Sequence, residues 1–180
     1  MEAVEILRGE HGDSDLARES FRLAAEMLIL GGGASTLEEA QAQVAQAVQS
    51  GKALEAFRVW TRANGGDAAC LDDFSRLPQA AQQVVVKAPA AGFIHGMDSR
   101  ALGLLAMELG AGRRHKDDVL DLGVGLRVHA RVGQAVEAGT PLFTVHAPAG
   151  AAVTPAPYLA AVDLRPEAAP THSWLLETLD

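Results

Sequence analysis

The sequence predicts an α+β protein: an N-terminal helical segment followed by a strand-rich C-terminal domain with one inserted helix. Three observations predict it. Apolar residues recur at helical spacing through the first 64 residues. From Val84 onward they gather instead into short β-branched or aromatic segments bounded by Gly and Pro. Between two of those segments, Ala101 to Leu109 is a helix-forming run. The expected division is 1–78, helices and a connecting loop, and 79–180, the strand-rich domain.

Leu16, Phe21, Ala24, Ala25 and Leu28 set the first helical stripe, and Gly31-Gly-Gly33 stops it. Thr36-Leu-Glu-Glu39 is a capping box: the Thr36 hydroxyl accepts from the Glu39 amide, and Glu39 bonds back. Leu37, Ala40, Val44 and Val48 continue as one apolar face to Gly51. Ala53, Phe57 and Trp60 mark a third helix, closed by Asn64-Gly-Gly66. Faces that are apolar on one side must pack on each other or on a partner. Gly65 to Pro78 reads as a connecting loop with a short turn. The expected strands are Val84–Val86, Gly92–Ile94, Leu126–His129 and Leu142–Val145. Asp98 or Ser99 caps the inserted helix and Gly110 ends it. A last short helix is expected near Pro157 to Leu164, and a final strand over Ser173 to Thr178.

Composition narrows the function classes. At 180 residues, 48% hydrophobic and 21% charged, the chain can bury a core and is not a disordered one. A net charge of -8 argues against binding a phosphate backbone, so no nucleic-acid partner is expected. No apolar run approaches the roughly 18 residues that span a membrane, and the start lacks a basic–apolar–small leader pattern. The single cysteine, Cys70, excludes an internal disulfide and suits a reducing cytoplasm, the expected compartment.

Few side chains suggest chemistry. Asp117, Asp118 and Asp121 could ligate a metal, but they flank Arg113-Arg114-His115-Lys116, where local ion pairs are the commoner outcome. Arg113 and Arg114 could fork onto a phosphate, but such a pair after a helix more often binds the helix end or a nearby carboxylate. The six histidines (11, 95, 115, 129, 146, 172) show no ligand spacing. His129 and His146 alternate with apolar residues and are expected on an outer face. Gly31-Gly-Gly33 follows a helix and lacks a Lys-Ser/Thr, so it is not a phosphate loop; Ser99 has no nucleophile-elbow setting.

The stretch Lys87 to Ala147 carries a stronger signal. Gly110-Ala-Gly-Arg-Arg114, Asp118-Val-Leu-Asp121, Gly123-Val-Gly125 and Gly139-Thr-Pro-Leu142 occur there in a fixed order. That order resembles the C-terminal domain of pyrimidine-nucleoside and thymidine phosphorylases. The resemblance runs upstream to Glu2-Ala-Val-Glu-Ile-Leu-Arg-Gly9 and thins after Ala147. Ala88-Pro-Ala-Ala-Gly92 with Val132-Gly-Gln-Ala-Val-Glu-Ala-Gly139-Thr-Pro-Leu142 also resembles biotinyl and lipoyl carrier domains, with Val136 and Leu142 pointing inward. The two resemblances share a barrel-sandwich-like strand fold. A freestanding carrier or binding module is thus the alternative, with Lys116 as the lysine to modify. Lys116, however, lacks a Met-Lys-Met-like setting, and a carrier has no use for the helices before Asn64.

The phosphorylase resemblance implies splitting of a pyrimidine nucleoside by inorganic phosphate into free base and sugar 1-phosphate. In that family a glycine-rich Lys/Ser/Thr loop holds phosphate, and an Arg, a Ser and a Lys hold the base. No Lys-x-Ser-Thr-Gly-Gly-like or Ser-Gly-Arg-Gly-like segment occurs here, so no catalytic residue is assigned. The expectation is a C-terminal part, inactive alone, whose partner is an N-terminal catalytic portion. No cofactor is assigned beyond the monovalent cation, potassium, of some full-length members. Glu2 matches a glutamate that helps hold it. The family's dimer helices have no counterpart here. Any homodimer would instead use an apolar patch on the Phe21/Leu28 or Phe57/Trp60 face.

Overall fold

The computed structural model describes residues 1–169 and divides into two compact units, Met1–Arg76 and a second from Leu77 onward. The strand expected over Ser173 to Thr178 lies outside the described residues.

The first unit is helical: α1 (Glu2–Leu7), α2 (Asp15–Leu30), α3 (Leu37–Gln49) and α4 (Lys52–Ala63). Three of the boundaries have a local cause in a cap or a glycine. The Ser14 hydroxyl accepts from the Ala17 amide at the start of α2. At α3 the Glu39 amide donates to Thr36 Oγ1 at 3.2 Å. The returning bond comes from the Ser35 amide to Glu39 Oε2 at 2.9 Å, one residue earlier than a standard box. Gly51, at φ +74°, joins α3 to α4 in a left-handed conformation that a side chain would resist.

The expected loop 65–78 is better organised than its composition suggests. It holds two 3₁₀ turns, Ala68–Leu71 and Phe74–Arg76. Arg58 on α4 anchors it: Nη1 and Nη2 donate to the two carboxylate oxygens of Asp72 at 2.7 and 2.8 Å. The Arg8 guanidinium lies 5.4 Å from the Phe74 ring centre.

The second unit contains two three-stranded antiparallel sheets. One has the order β1 (Gln82–Lys87), β5 (Pro141–Ala147), β3 (Gly125–Val128). The other has the order β4 (Ala135–Val136), β2 (Gly92–Met97), β6 (Val162–Arg165). Both contribute to one core: Val86, Phe143 and Val145 from the first sheet, Ile94 and Val136 from the second. The inserted helix α5 (Ser99–Ala106) adds Leu102, is capped by Asp98, and ends in one wide π-type turn, Met107–Ala111. Val136 and Leu142 are buried, as their place in the sequence pattern predicts.

One expectation needs correction. The helix expected from Pro157 to Leu164 is only α6 (Ala156–Ala160), and Val162–Arg165 is a strand paired to β2. The alanine-rich lead-in extends the helical reading too far. The alternation of half-buried Val162 and Leu164 with exposed Asp163 and Arg165 is the strand signal.

A contrast between two glycines tests this packing. A Cβ on Gly92 would stand 2.6 Å from the Arg165 carbonyl oxygen, whereas one on Gly103, inside α5, meets nothing within 4 Å. Gly92→Ala should therefore destabilise the chain by about 1–3 kcal/mol. Gly103→Ala should stabilise it by about 0.5–1 kcal/mol. Urea unfolding of the two variants should show midpoints moving in opposite directions.

Candidate functional site

The first unit has a small core for its helix content. Its buried apolar residues are mostly alanines: Ala17, Ala25, Ala34, Ala40 and Ala68, with Val4, Ile6 and Leu71. The largest fully buried side chains of the described residues, led by Phe143 and Ile94, all lie in the second unit. Several large apolar groups of α2 and α4 stay at the surface. Met27 is 72% and Leu30 87% exposed on α2, and Trp60 is 60% exposed on α4, stacked on Phe57 at 5.6 Å. A groove of about 780 Å³ runs between α1, α2 and α3, reaching the start of α4. Leu16, Phe21, Met27 and Leu28 form one wall; Ile6, Leu7, Val44 and Val48 line the rest, with Ser20 and Gln43 the only polar side chains. Both faces expected to be apolar, Phe21/Leu28 and Phe57/Trp60, are therefore accessible. Each is set by helical spacing, but the groove itself needs three helices and is not visible in any one stripe.

In the second unit the residues with candidate chemistry sit on the loop between α5 and β3. Gly110, at φ +110°, reverses the chain, and the Asp121 amide donates to its carbonyl at 3.0 Å. The amides of Arg114 and His115 both donate to Asp118 Oδ2, at 2.8 and 2.9 Å. Those two bonds, His115 first, hold the Asp118 carboxyl below its ordinary value. The Asp121 carboxylate accepts from the Gly123 amide at 2.9 Å. Arg114 pairs with Glu108 at 3.2 Å. The aspartates thus fold the loop onto its own backbone, and Arg114 finds a neighbouring carboxylate.

The remaining candidates are dispersed. His129 Nε2 lies 2.7 Å from Thr144 Oγ1 on the outer face of its sheet, and His146 is half-buried on the same face. His95 Nε2 meets the Glu167 carbonyl at 2.9 Å. Cys70 is a free, half-buried thiol. Lys116 is exposed on the α5–β3 loop rather than at the tip of a two-stranded hairpin, so the carrier reading gains no support. Glu2 is exposed in the first turn of α1. Among the described residues no three His, Cys, Asp or Glu side chains come together as metal ligands. No helix among them is long and apolar enough to cross a membrane. Arg58, the anchor of the 65–78 segment, was not singled out in the sequence; its spacing of three from Glu55 was the only local signal.

The family match falls on this two-sheet unit. Residues 93–160 match the family model of the pyrimidine nucleoside phosphorylase C-terminal domain. Over 146 residues, 81% of this chain, identity is 42% to the pyrimidine-nucleoside phosphorylase of Bacillus subtilis, of which 34% is covered. The Staphylococcus aureus pyrimidine-nucleoside phosphorylase is 40% identical over 145 residues, covering 81% of this chain and 33% of that protein. The chain therefore spans about a third of the length of these relatives and is similar to their C-terminal portion.

The Asp118 bonds give a direct test. Asp118→Ala should speed hydrogen exchange at the Arg114 and His115 amides with little change in melting temperature, because the loop is exposed. The folded carboxyl sits below its ordinary value. Protection of these amides should therefore be full at neutral pH and be lost as pH falls through that lowered value. Exchange followed by mass spectrometry on acidification checks both outcomes.

Proposed function

We propose that this chain supplies the C-terminal part of a pyrimidine-nucleoside phosphorylase, a pentosyltransferase. The parent reaction is phosphorolysis of a pyrimidine nucleoside or deoxynucleoside to free base and ribose or deoxyribose 1-phosphate. The observation that carries this reading is the 42% identity across 81% of the chain to a phosphorylase of which it covers 34%. One sequence feature agrees with it: the ordered glycine and aspartate motifs from Gly110 to Leu142.

Phosphorolysis is mainly a matter of positioning two substrates and stabilising an anionic nucleophile and leaving base. In this reading those groups belong to an N-terminal portion, and this chain braces it. Glu2 would supply one oxygen to a potassium site. A single exposed carboxylate does not make such a site, because hard cations take several oxygen ligands.

The test is phosphate-dependent release of thymine from thymidine and uracil from uridine. The chain alone should release neither. Mixed with a separately produced N-terminal portion of the Bacillus subtilis relative, it should release both. Turnover by the chain alone, with host enzyme excluded, would overturn the reading, and Arg113 and Arg114 would be the first residues to replace.

A further inference from the structure

We infer that Asn64 is a site of spontaneous covalent modification: it deamidates through a cyclic imide formed with Gly65 when the end of α4 opens. Asn64 is the only asparagine of the 180 residues, and two glycines follow it. Residues 62–67 are all exposed. Gly65 has φ +78°, and a Cβ built on it would meet nothing within 4 Å. The amide that follows Asn64 therefore carries no side chain and stands in open surroundings, so nothing bulky opposes attack by its nitrogen.

The step needs only water and hydroxide. Hydroxide removes the Gly65 amide proton, and the nitrogen bonds to Asn64 Cγ. The Cγ–Nδ2 bond breaks, and Nδ2 takes a proton from water and leaves as ammonia, which restores the hydroxide. Water then opens the imide at either of its carbonyls. The product is an aspartate or an isoaspartate, in which the main chain runs through the side-chain carbons.

In the folded chain both reacting groups are engaged. Asn64 Nδ2 donates to the Trp60 carbonyl at 2.8 Å, and the Gly65 amide donates to the Arg62 carbonyl at 3.0 Å. The Gly66 amide closes the turn on the Thr61 carbonyl at 2.9 Å. The bonds that finish α4 thus restrain the chemistry, and an exposed helix end opens at little cost. Conversion then works against the cap. A carboxylate at position 64 has no proton to give the Trp60 carbonyl, and its charge stands at the negative end of the helix. Isoaspartate also lengthens the main chain between residues 64 and 65. The modification therefore unfastens the last turn of α4, the turn that carries the exposed Trp60.

The experiment incubates the full chain at mildly alkaline pH, in native buffer and in parallel in urea. The tryptic fragment that follows Arg62 is then read by mass spectrometry, and isoaspartate is marked with an isoaspartyl methyltransferase. Asn64 should convert in both, about tenfold more slowly in native buffer, because the cap must open first. The acidic form should separate by anion exchange and be absent from Asn64→Gln. Hydrogen exchange at the Gly65 and Gly66 amides should be faster in the converted chain and in Asn64→Asp, with the second unit unchanged. No conversion in native buffer would overturn the inference, as would equal rates in native buffer and urea. An acidic form that persists in Asn64→Gln would place the reaction elsewhere and overturn it too. Unchanged exchange at Gly65 and Gly66 would overturn the link to the cap.

Discussion

Two backbone exchanges tie the second unit together. The Ala88 amide donates to the Thr140 carbonyl and the Gly139 amide to the Ala88 carbonyl, both at 2.8 Å. A few residues on, the Ile94 amide donates to the Gln134 carbonyl at 3.0 Å, and the Gly133 amide to the Ile94 carbonyl at 2.8 Å. Segments some 40 to 50 residues apart are thereby crossed at two points. Each crossing uses a glycine with positive φ, +91° at Gly133 and +88° at Gly139, where a side chain would be strained. These crossings bring β2 beside β4 and β1 beside β5, and Phe143, Ile94 and Val86 close on one another as a result. The intervening chain is then free to leave as α5 and the loop to β3.

The first unit is governed by the opposite circumstance. Its helices are individually well started, by Ser14 and by the Thr36–Glu39 box, yet they bury chiefly alanine against alanine. An alanine contact removes little apolar area from water, and area is what stabilises a helical bundle. The bulky side chains needed for a denser core are present in the sequence but face the groove or the outer surface. Polar anchors compensate in part: Arg58 fixes Asp72 and also donates to the Ala68 carbonyl at 3.2 Å.

What could be read in the sequence was mostly local. The Thr36 box, the Asp98 cap, the Gly110 stop and the inward positions of Val136 and Leu142 all follow from residue type and spacing within a few positions. Features that join distant residues were harder to see. Arg58 and Asp72 are 14 positions apart, and nothing in either residue announces the other. The β6 strand hides behind an alanine-rich helix start, because its pairing with β2 is a tertiary choice. For the candidate site, the two apolar faces were legible as stripes, whereas their convergence into one groove was not. The assignment of Glu2 rests on resemblance alone, since a first-turn glutamate is ordinary.

The resolved electrostatics are those of groups that hold a shape. Groups that transfer protons are tuned toward neutrality by burial or like charge. The resolved shifts among the described residues run the other way. Asp72 is held low by the hydrogen bond from Arg58, Asp67 by that from Arg76 and Asp163 by that from Arg165. The arginines are raised by the same bonds. Burial raises the Tyr158 phenol, again away from neutral pH. Each of these groups keeps one charge state across the physiological range, so each suits holding a shape rather than moving a proton.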